Sequence, residues 1–260
     1  MITSAQNSKI KSVRALLGRT KERREANAFV VEGVRLVEEA VHSNWKVDFA
    51  LYDETLSERG KSLVESLKSR GMDVEMISDG LMKSLSETET PQGILAVLEF
   101  NLLPMTAPLH FVLIPDQIRD PGNLGTLLRS AAATGVQAVL VPPETTDAFA
   151  PKVVRSGMGA HFRLPIHSMS WKEIKEKTKD LPLYLADMDG QSCWEIDLRQ
   201  PLALIVGGEA EGASEAARKL ATKISIPMTG NVESLNAGVA GSVLMFEVVR
   251  QRNLNTKGMK

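Results

Sequence analysis

The chain has 260 residues, 43% of them hydrophobic and 24% charged, which is the range of ordinary water-soluble globular proteins and enough length for two compact cores. A formal net charge of -1 excludes nucleic-acid binding through bulk charge while leaving room for a local basic patch. A single cysteine, Cys193, excludes an intrachain disulfide and a thiolate zinc cluster. The opening MITSAQNSKIKSV lacks a signal-peptide apolar stretch, and no run approaches the roughly 18 to 20 apolar residues of a membrane span. A cytoplasmic protein without a membrane partner is expected.

From Ser4 to about Leu17 the pattern predicts a helix, with Ser4 as its candidate cap and Ile10, Val13, Leu16 and Leu17 on one buried face. Between Lys9 and Arg24 lie Lys9, Lys11, Arg14, Arg19, Lys21, Arg23 and Arg24, opposed only by Glu22. Charge alone leaves two readings of this stretch, phosphate contacts or a solvated helix face. The runs AFVVEG, KVDFALYD, MDVEMIS and GILAVLEF then read as short buried strands, with helical patterns around Leu36 and around Leu63 to Leu67. These make a small α/β domain over residues 1–100. The stretch from Asn101 to Pro108 has two prolines and little periodicity and reads as a linker. Residues 109–260 form a second domain, in which HFVLIPD, QAVLVPP, RLPIH, LPLYLAD, PLALIVGG and ISIPM alternate with helical patterns. Such alternation predicts an α/β fold with a mostly parallel sheet.

Three turns in this second domain, each following an apolar run, occupy the position where open α/β sheets bind ligands. In the first, Asp120-Pro121-Gly122-Asn123 should form a turn with Asn123 capping a helix whose core face is Leu124, Leu127, Leu128 and Ala131. Arg129 projects off that face with a planar, permanently charged fork suited to a phosphate or carboxylate; the bland alternative is that Asn123 only caps and Arg129 only pairs with a surface acid. In the second, Gly207-Gly208 after ALIV permits a tight turn at Glu209. No G-x-G-x-x-G with a matching acid and no P-loop is present, and Gly157-Met158-Gly159 fails the same test. In the third, Ile226-Pro227-Met228 ends a strand, Thr229-Gly230-Asn231 is turn-like, and Ser234-Leu235-Asn236 opens a helix beginning with Ala237, Gly238, Ala240 and Gly241. Two glycines there point to a close neighbour, be it ligand, chain segment or partner subunit. A hydrolase using Cys193 with His161 or His167 is disfavoured, since Ser192 and Trp194 form no nucleophile elbow.

In this order the segments DPGNLGTLLRSA, GGE, and IPM followed by SLN resemble the three motifs of the SpoU/TrmH family of RNA 2'-O-ribose methyltransferases, part of the knotted SPOUT superfamily. The resemblance covers roughly Leu109 to Arg252 and includes PKVVRSGMGAHFRLPI, which is similar to the family's connecting helix and strand. VVEGVRLVEEA from Val30 and TPQGILAV from Thr90 resemble the family's substrate-binding domain, a small α/β fold shared with kink-turn-binding ribosomal proteins. One departure is Ala237-Gly238, where the family often has Val-Ser, so position 238 offers no hydroxyl.

The resemblance implies a deep trefoil knot holding S-adenosylmethionine, converted to S-adenosylhomocysteine without a metal. By motif position Gly207, Ile226 and Leu235, with Gly208 and Met228 beside them, are the implied cofactor contacts. Asn123, Arg129, Glu209, Ser234 and Asn236 match the family's polar active-site positions, Arg129 being its candidate for activating the 2'-hydroxyl. Lys9, Lys11, Arg14, Arg23 and Arg24 are the implied RNA contacts. A homodimer through the knotted domain and large-subunit (23S) ribosomal RNA as substrate are expected; the alternatives are a transfer RNA 2'-O-methyltransferase or a non-catalytic RNA-binding or ribosome-assembly protein on the same fold.

Overall fold

The computed structural model describes every residue except Asn44, Glu87, Glu89, Ala210, Glu211, Asn231, Glu233 and 258–260, together with the side chains of 254–257. Asn231, expected in a turn, thus lies outside the described residues. The chain divides into two compact units: Met1–Asn101 with Phe149–Arg155, and Leu102–Ala148 with Ser156–Lys260. Most of the segment expected as a linker therefore groups with the second unit, and a short piece expected in the second domain groups with the first.

The first unit runs α1 (Ser8–Gly18), α2 (Thr20–Ala26), β1 (Ala28–Glu32), α3 (Val34–His42), β2 (Val47–Tyr52), α4 (Glu58–Ser69), β3 (Val74–Met76), α5 (Asp79–Leu85) and β4 (Ile94–Glu99). Its sheet has the order β1-β4-β2-β3, with β4 antiparallel to both neighbours and β2 parallel to β3. α1 begins later than expected. Asn7 caps it, its side chain accepting from the Lys9 amide at 2.9 Å, whereas Ser4 spends its hydroxyl on the Gln6 amide in a preceding turn. Ile10, Val13 and Leu16 enter the core beside Leu51, Ile77 and Leu95, and Leu17 packs against its margin. Phe149 groups with this unit through Phe29 and Phe100, its ring centroid 5.1 and 4.7 Å from theirs.

The second unit runs β5 (Phe111–Asp116), α6 (Pro121–Thr134), β6 (Ala138–Val141), then, after α7 (Pro151–Gly157), whose residues up to Arg155 group with the first unit, β7 (Ile166–Ser168), α8 (Trp171–Lys177), β8 (Leu183–Ser192), β9 (Leu202–Gly207), α9 (Glu215–Leu220), β10 (Thr222–Ser225) and α10 (Ala237–Lys257). Its six strands lie in the order β10-β8-β9-β5-β6-β7 and all pair in parallel. β5 is buried throughout, as an apolar run in the middle of a parallel sheet should be. From β5 the chain moves outward through β6 and β7, then returns on the other side of β5 through β8 and β9. The crevice beyond the carboxyl ends of β5 and β9 is thus the topological switch point. β10 stops at Ser225, so Ile226–Met228, expected as a strand end, form a connection.

His161 is fully enclosed beside α6, its Nε2 2.7 Å from the Ala148 carbonyl oxygen. Burial opposes the charged ring and lowers its pKa from 6.5 to about 4, against weaker raising effects of the Ala148 hydrogen bond and Asp147. The folded pKa is depressed, so the stabilisation is complete above the unfolded value near 6.5 and is lost as pH falls towards 4. Urea unfolding between pH 7 and pH 4 should therefore lose on the order of 3 kcal/mol through this group. A His161→Gln variant should show a shallower slope over that range, and an unchanged slope would remove His161 as the cause.

Candidate active site

β5 and β9 are in register to their ends, Asp116 opposite Gly207. The Asp116 carboxylate is buried and accepts from the Ser214 amide at 2.6 Å, tying the loop after β9 to the end of β5. Burial raises its pKa against the Ser214 hydrogen bonds, and the charge of Glu144 acts in the same direction. An acid closing the run FVLIPD was the signal for this brace, and sequence reading did not take it up.

Asn123 does not cap α6. Asp120 does, accepting from the Asn123 amide at 2.8 Å, and Pro121 occupies the first helical position, where a missing N–H costs nothing. Asn123 therefore sits in the first turn with its carboxamide released from capping. Its Nδ2 donates to Glu209 Oε1 at 2.8 Å. The same carboxylate oxygen accepts from Asn236 Nδ2 at 2.7 Å and from the Ala237 amide at 3.3 Å. Asn236 Nδ2 also lies 2.8 Å from Asn123 Oδ1, and Asn236 Oδ1 accepts from the Val239 amide at 3.1 Å, capping α10. Three loops distant in sequence thus meet on one carboxylate.

Beside this cluster opens a cleft of about 270 Å³, and Gly207, Gly208, Glu209, Ile226, Met228, Ser234 and Leu235 are all on its wall. Asp187 and Met188 in the middle of β8 and Arg218 of α9 also line it; they follow no motif, and sequence reading missed them. Its apolar walls suit a flat aromatic base, and bare backbone at the glycines suits hydrogen bonds to a polar ligand. Arg129 stands apart: it is exposed on α6.

The glycines are required by close packing. A β-carbon at Gly207 would lie 2.7 Å from the Ala213 amide nitrogen, and one at Gly208 would run into the Gln117 backbone oxygen. On α10 the close neighbour is α6: a β-carbon at Gly241 would meet Leu127 and stand 3.0 Å from Val206, and one at Gly238 would stand 3.3 Å from Thr126. The three-way choice left by the sequence resolves, for these two positions, to a neighbouring chain segment. Ser130 and Ser242 share a 2.7 Å hydrogen bond along the same seam.

Not all of the basic patch is available to a ligand. Lys9 is paired with Asp73 at 2.6 Å and with Glu75, bracing α1 against β3. Arg23 is buried, donating to the Leu16 carbonyl at 2.6 Å and to Thr20 Oγ1 at 3.1 Å. These two are structural. Lys11, Arg14 and Arg24 are exposed, Arg14 also donating to Ser84 at 3.2 Å. Cys193 is buried, and burial with the charge of Glu247 raises its thiol pKa, so it is not a poised nucleophile. His167 is engaged with the Leu103 carbonyl at 3.0 Å. Among the described residues no cluster of His, Cys, Asp and Glu is placed to hold a metal ion.

A test of the packing follows from Gly208. Gly208→Ala forces the Gln117 loop to move and should cost about 1–3 kcal/mol of stability. Gly230→Ala, with open space where its β-carbon would be, should change stability by less than about 0.5 kcal/mol. Equal urea midpoints for the two variants would show that the loops are not in fixed contact.

Residues 110–246 match the model of the SpoU rRNA Methylase family, and residues 7–96 match that of the MRM3-like substrate binding domain. The 23S rRNA (guanosine(2553)-2'-O)-methyltransferase RlmP of Bacillus subtilis is 35% identical, over 95% of this chain and 98% of that one. The 23S rRNA (uridine(2479)-2'-O)-methyltransferase of Streptomyces viridochromogenes is 33% identical, over 96% and 92%. The crystal structure of the SpoU methyltransferase AviRb from Streptomyces viridochromogenes, in complex with AdoMet, superposes with a TM-score of 0.81 at 31% identity, covering 95% of this chain and 100% of that one. With a domain model spanning more than half its length and full-length relatives on both units, the chain belongs to the SpoU rRNA methylase family.

Proposed function

We propose that the protein transfers the methyl group of S-adenosylmethionine to a ribose 2'-hydroxyl of large-subunit ribosomal RNA. The observation that carries this is the convergence of Asn123, Asn236 and the Ala237 amide on Glu209, at the mouth of an apolar cleft. Gly207, Gly208, Ile226, Met228 and Leu235 would hold the cofactor there, since the cleft is mostly apolar and bordered by glycine backbone. The deep knot implied by the motifs would account for how the third loop reaches the second. When bound, the cofactor supplies an electrophilic methyl group on a sulfonium.

The rest falls to the chain's own residues. The 2'-oxygen lone pair forms the new O–C bond as the C–S bond pair returns to sulfur, and the hydroxyl proton leaves to solvent. The protein must hold that hydroxyl in line and keep it there, which is where fixed amides and charges act. The planar guanidinium fork of Arg129 suits bidentate hydrogen bonding to a phosphate. We assign it to the phosphate beside the target ribose, with Asn123, Ser234, Asn236 and Glu209 organising the pocket. The names of the two relatives give a guanosine and a uridine in 23S rRNA, so RNA class rather than base is what the family membership supports. The MRM3-like domain, with Lys11, Arg14 and Arg24 exposed, would supply phosphate contacts of the salt-dependent kind.

A homodimer belongs to the same proposal. Val239, Val243 and Phe246 of α10 are 46%, 42% and 52% exposed and recur at helical spacing, an apolar stripe suited to burial against a second copy. Arg129 would then serve a site completed across the interface.

Two outcomes are expected. With tritiated S-adenosylmethionine and total RNA from a strain lacking the protein, label should enter large-subunit RNA. Arg129→Ala should cut the rate at least 100-fold while cofactor affinity stays within twofold; label with full activity in the variant would remove Arg129 from the mechanism. In sedimentation, the wild type should run as a dimer and Phe246→Glu as a monomer. A dimeric variant would place the interface elsewhere.

A further inference from the structure

The loop after β9 closes on itself. Gly208 N donates to the Gly212 carbonyl at 3.1 Å, and the two residues pair as an isolated antiparallel bridge, so Glu209 belongs to a ring that begins and ends on glycine. Gly212 has a φ of 69°, the left-handed conformation that lets the chain turn back. From this ring Glu209 reaches Asn123, Asn236 and the Ala237 amide. Where the ring sits therefore decides whether one carboxylate can meet three donors.

The end of β5 grips the ring twice. At its entry the Gln117 backbone oxygen lies where a β-carbon of residue 208 would stand, and just past its exit Asp116 Oδ2 accepts from the Ser214 amide at 2.6 Å. Ser214 also caps α9, its hydroxyl accepting from the Ala217 amide at 3.2 Å, and Arg218 Nε donates to the Ala213 carbonyl at 2.9 Å. Beyond the packing of Ala213 against Gly207, the sheet holds this exit through the Asp116 side chain. As a device for stability that side chain is poorly chosen. Asp116 is fully buried, its Oδ1 has no hydrogen-bond partner among the described residues, and the charge of Glu144 opposes its ionisation. A buried carboxyl with one oxygen unmet loses more on leaving water than a single hydrogen bond returns. Groups that cost stability where they stand are characteristic of positions kept for function.

Resting on the methyltransferase reading above, we propose that Asp116 is a positioning residue for methyl transfer: by holding the Ser214 amide it sets the ring where Glu209 gathers Asn123, Asn236 and the Ala237 amide. It is not on the cleft wall and lies outside the segments that carry the family resemblance. It acts through Glu209. A carboxylate, a carboxylic acid and a carboxamide each offer an oxygen that accepts from Ser214, so the role belongs to the acceptor at this position and not to its charge. In-line transfer is sensitive to small misplacements of the groups that orient it, so a loosened ring lowers turnover. The RNA contacts assigned above lie on other residues, so KM for RNA stays.

The test uses the full-length protein, saturating tritiated S-adenosylmethionine, and large-subunit ribosomal RNA from a strain lacking the protein. Asp116→Ala should lower kcat at least tenfold with KM for RNA within twofold, and Asp116→Asn, which keeps the acceptor, should stay within threefold of wild type. In single turnover, adding Asp116→Ala to Glu209→Ala should slow transfer by less than a further twofold, because both act through one carboxylate. In the cofactor-free protein, amide hydrogen exchange at Gly208 and Ser214 should quicken at least tenfold in Asp116→Ala, with the interiors of β5 and β9 unchanged. Equal quickening along both strands would make Asp116 purely structural and overturn the proposal. So would full turnover in Asp116→Ala, multiplied losses in the double variant, or an Asp116→Asn variant as slow as Asp116→Ala. If Asp116→Ala does not fold, Ser214→Pro removes the same bond from the donor side at a φ of -62° that proline accepts, with Ser214→Ala as the control for the lost cap and exchange read at Gly208. Absence of methyl transfer by the wild type would overturn the methyltransferase reading and the proposal with it; an active wild type with a failed variant pattern overturns the proposal alone.

Discussion

One oxygen of the Glu209 carboxylate accepts from the Asn123 amide, the Asn236 amide and the Ala237 backbone N–H. Charge-assisted hydrogen bonds of this type are each worth more than a neutral pair, although exposure to solvent discounts them here. Their importance is geometric. Asn123 opens α6, Glu209 follows β9, and Asn236 precedes α10, so a single acceptor fixes the relative placement of three loops that the sheet alone leaves independent. If Glu209 loses its charge or its reach, three donors lose their common partner and the mouth of the cleft loses its shape.

That convergence is possible because the backbone beneath it is packed without side chains. Gly207 and Gly208 bring the loop after β9 against Ala213 and Gln117, and Asp116 ties the same loop down through Ser214. On the far side, Gly238 and Gly241 let α10 lie against α6 close enough for Ser130 and Ser242 to bond. The amides are therefore oriented before any ligand arrives, which is the condition under which fixed dipoles assist a transfer reaction.

Most strands were legible as apolar or β-branched runs, but three expected runs match only in part: β7 extends to Ser168, β8 continues to Ser192 through polar residues, and β10 occupies Thr222–Ser225 and stops three residues short of Met228. α2 and α5 escaped notice because each is only seven residues long, too short to display a period. In the site the structure brings Glu209, Asn123 and Asn236 of the motifs together, but Asn123 does not cap α6 as expected. With Pro at the first helical position, the cap lies three residues back at Asp120, which leaves the Asn123 side-chain amide free of capping. Charge pattern failed at Lys9 and Arg23 for a different reason: whether a cation faces water depends on partners such as Asp73, Glu75 and the Leu16 carbonyl, which are distant in sequence or belong to the backbone. The left-handed turn at Gln117 was invisible because it depends on a glycine, Gly208, 91 positions away in the chain.

Arg129 poses the sharpest geometric problem. It and Asn123 lie on one helix, six positions apart, so at about 100° per residue their side chains diverge by about 120° around the axis. Asn123 faces Glu209, and Arg129 consequently projects away from the cluster into solvent. A cation that acts on the same ribose as Asn123 of its own chain would have to bridge that divergence with its side chain alone. The exposed Val239, Val243 and Phe246 offer another solution, since a second copy covering them would bring its own α6 and α10 to the seam. On the dimeric reading, the divergence on one helix is what sends Arg129 outward to a partner's site, and each active site takes its amides from one chain and its arginine from the other.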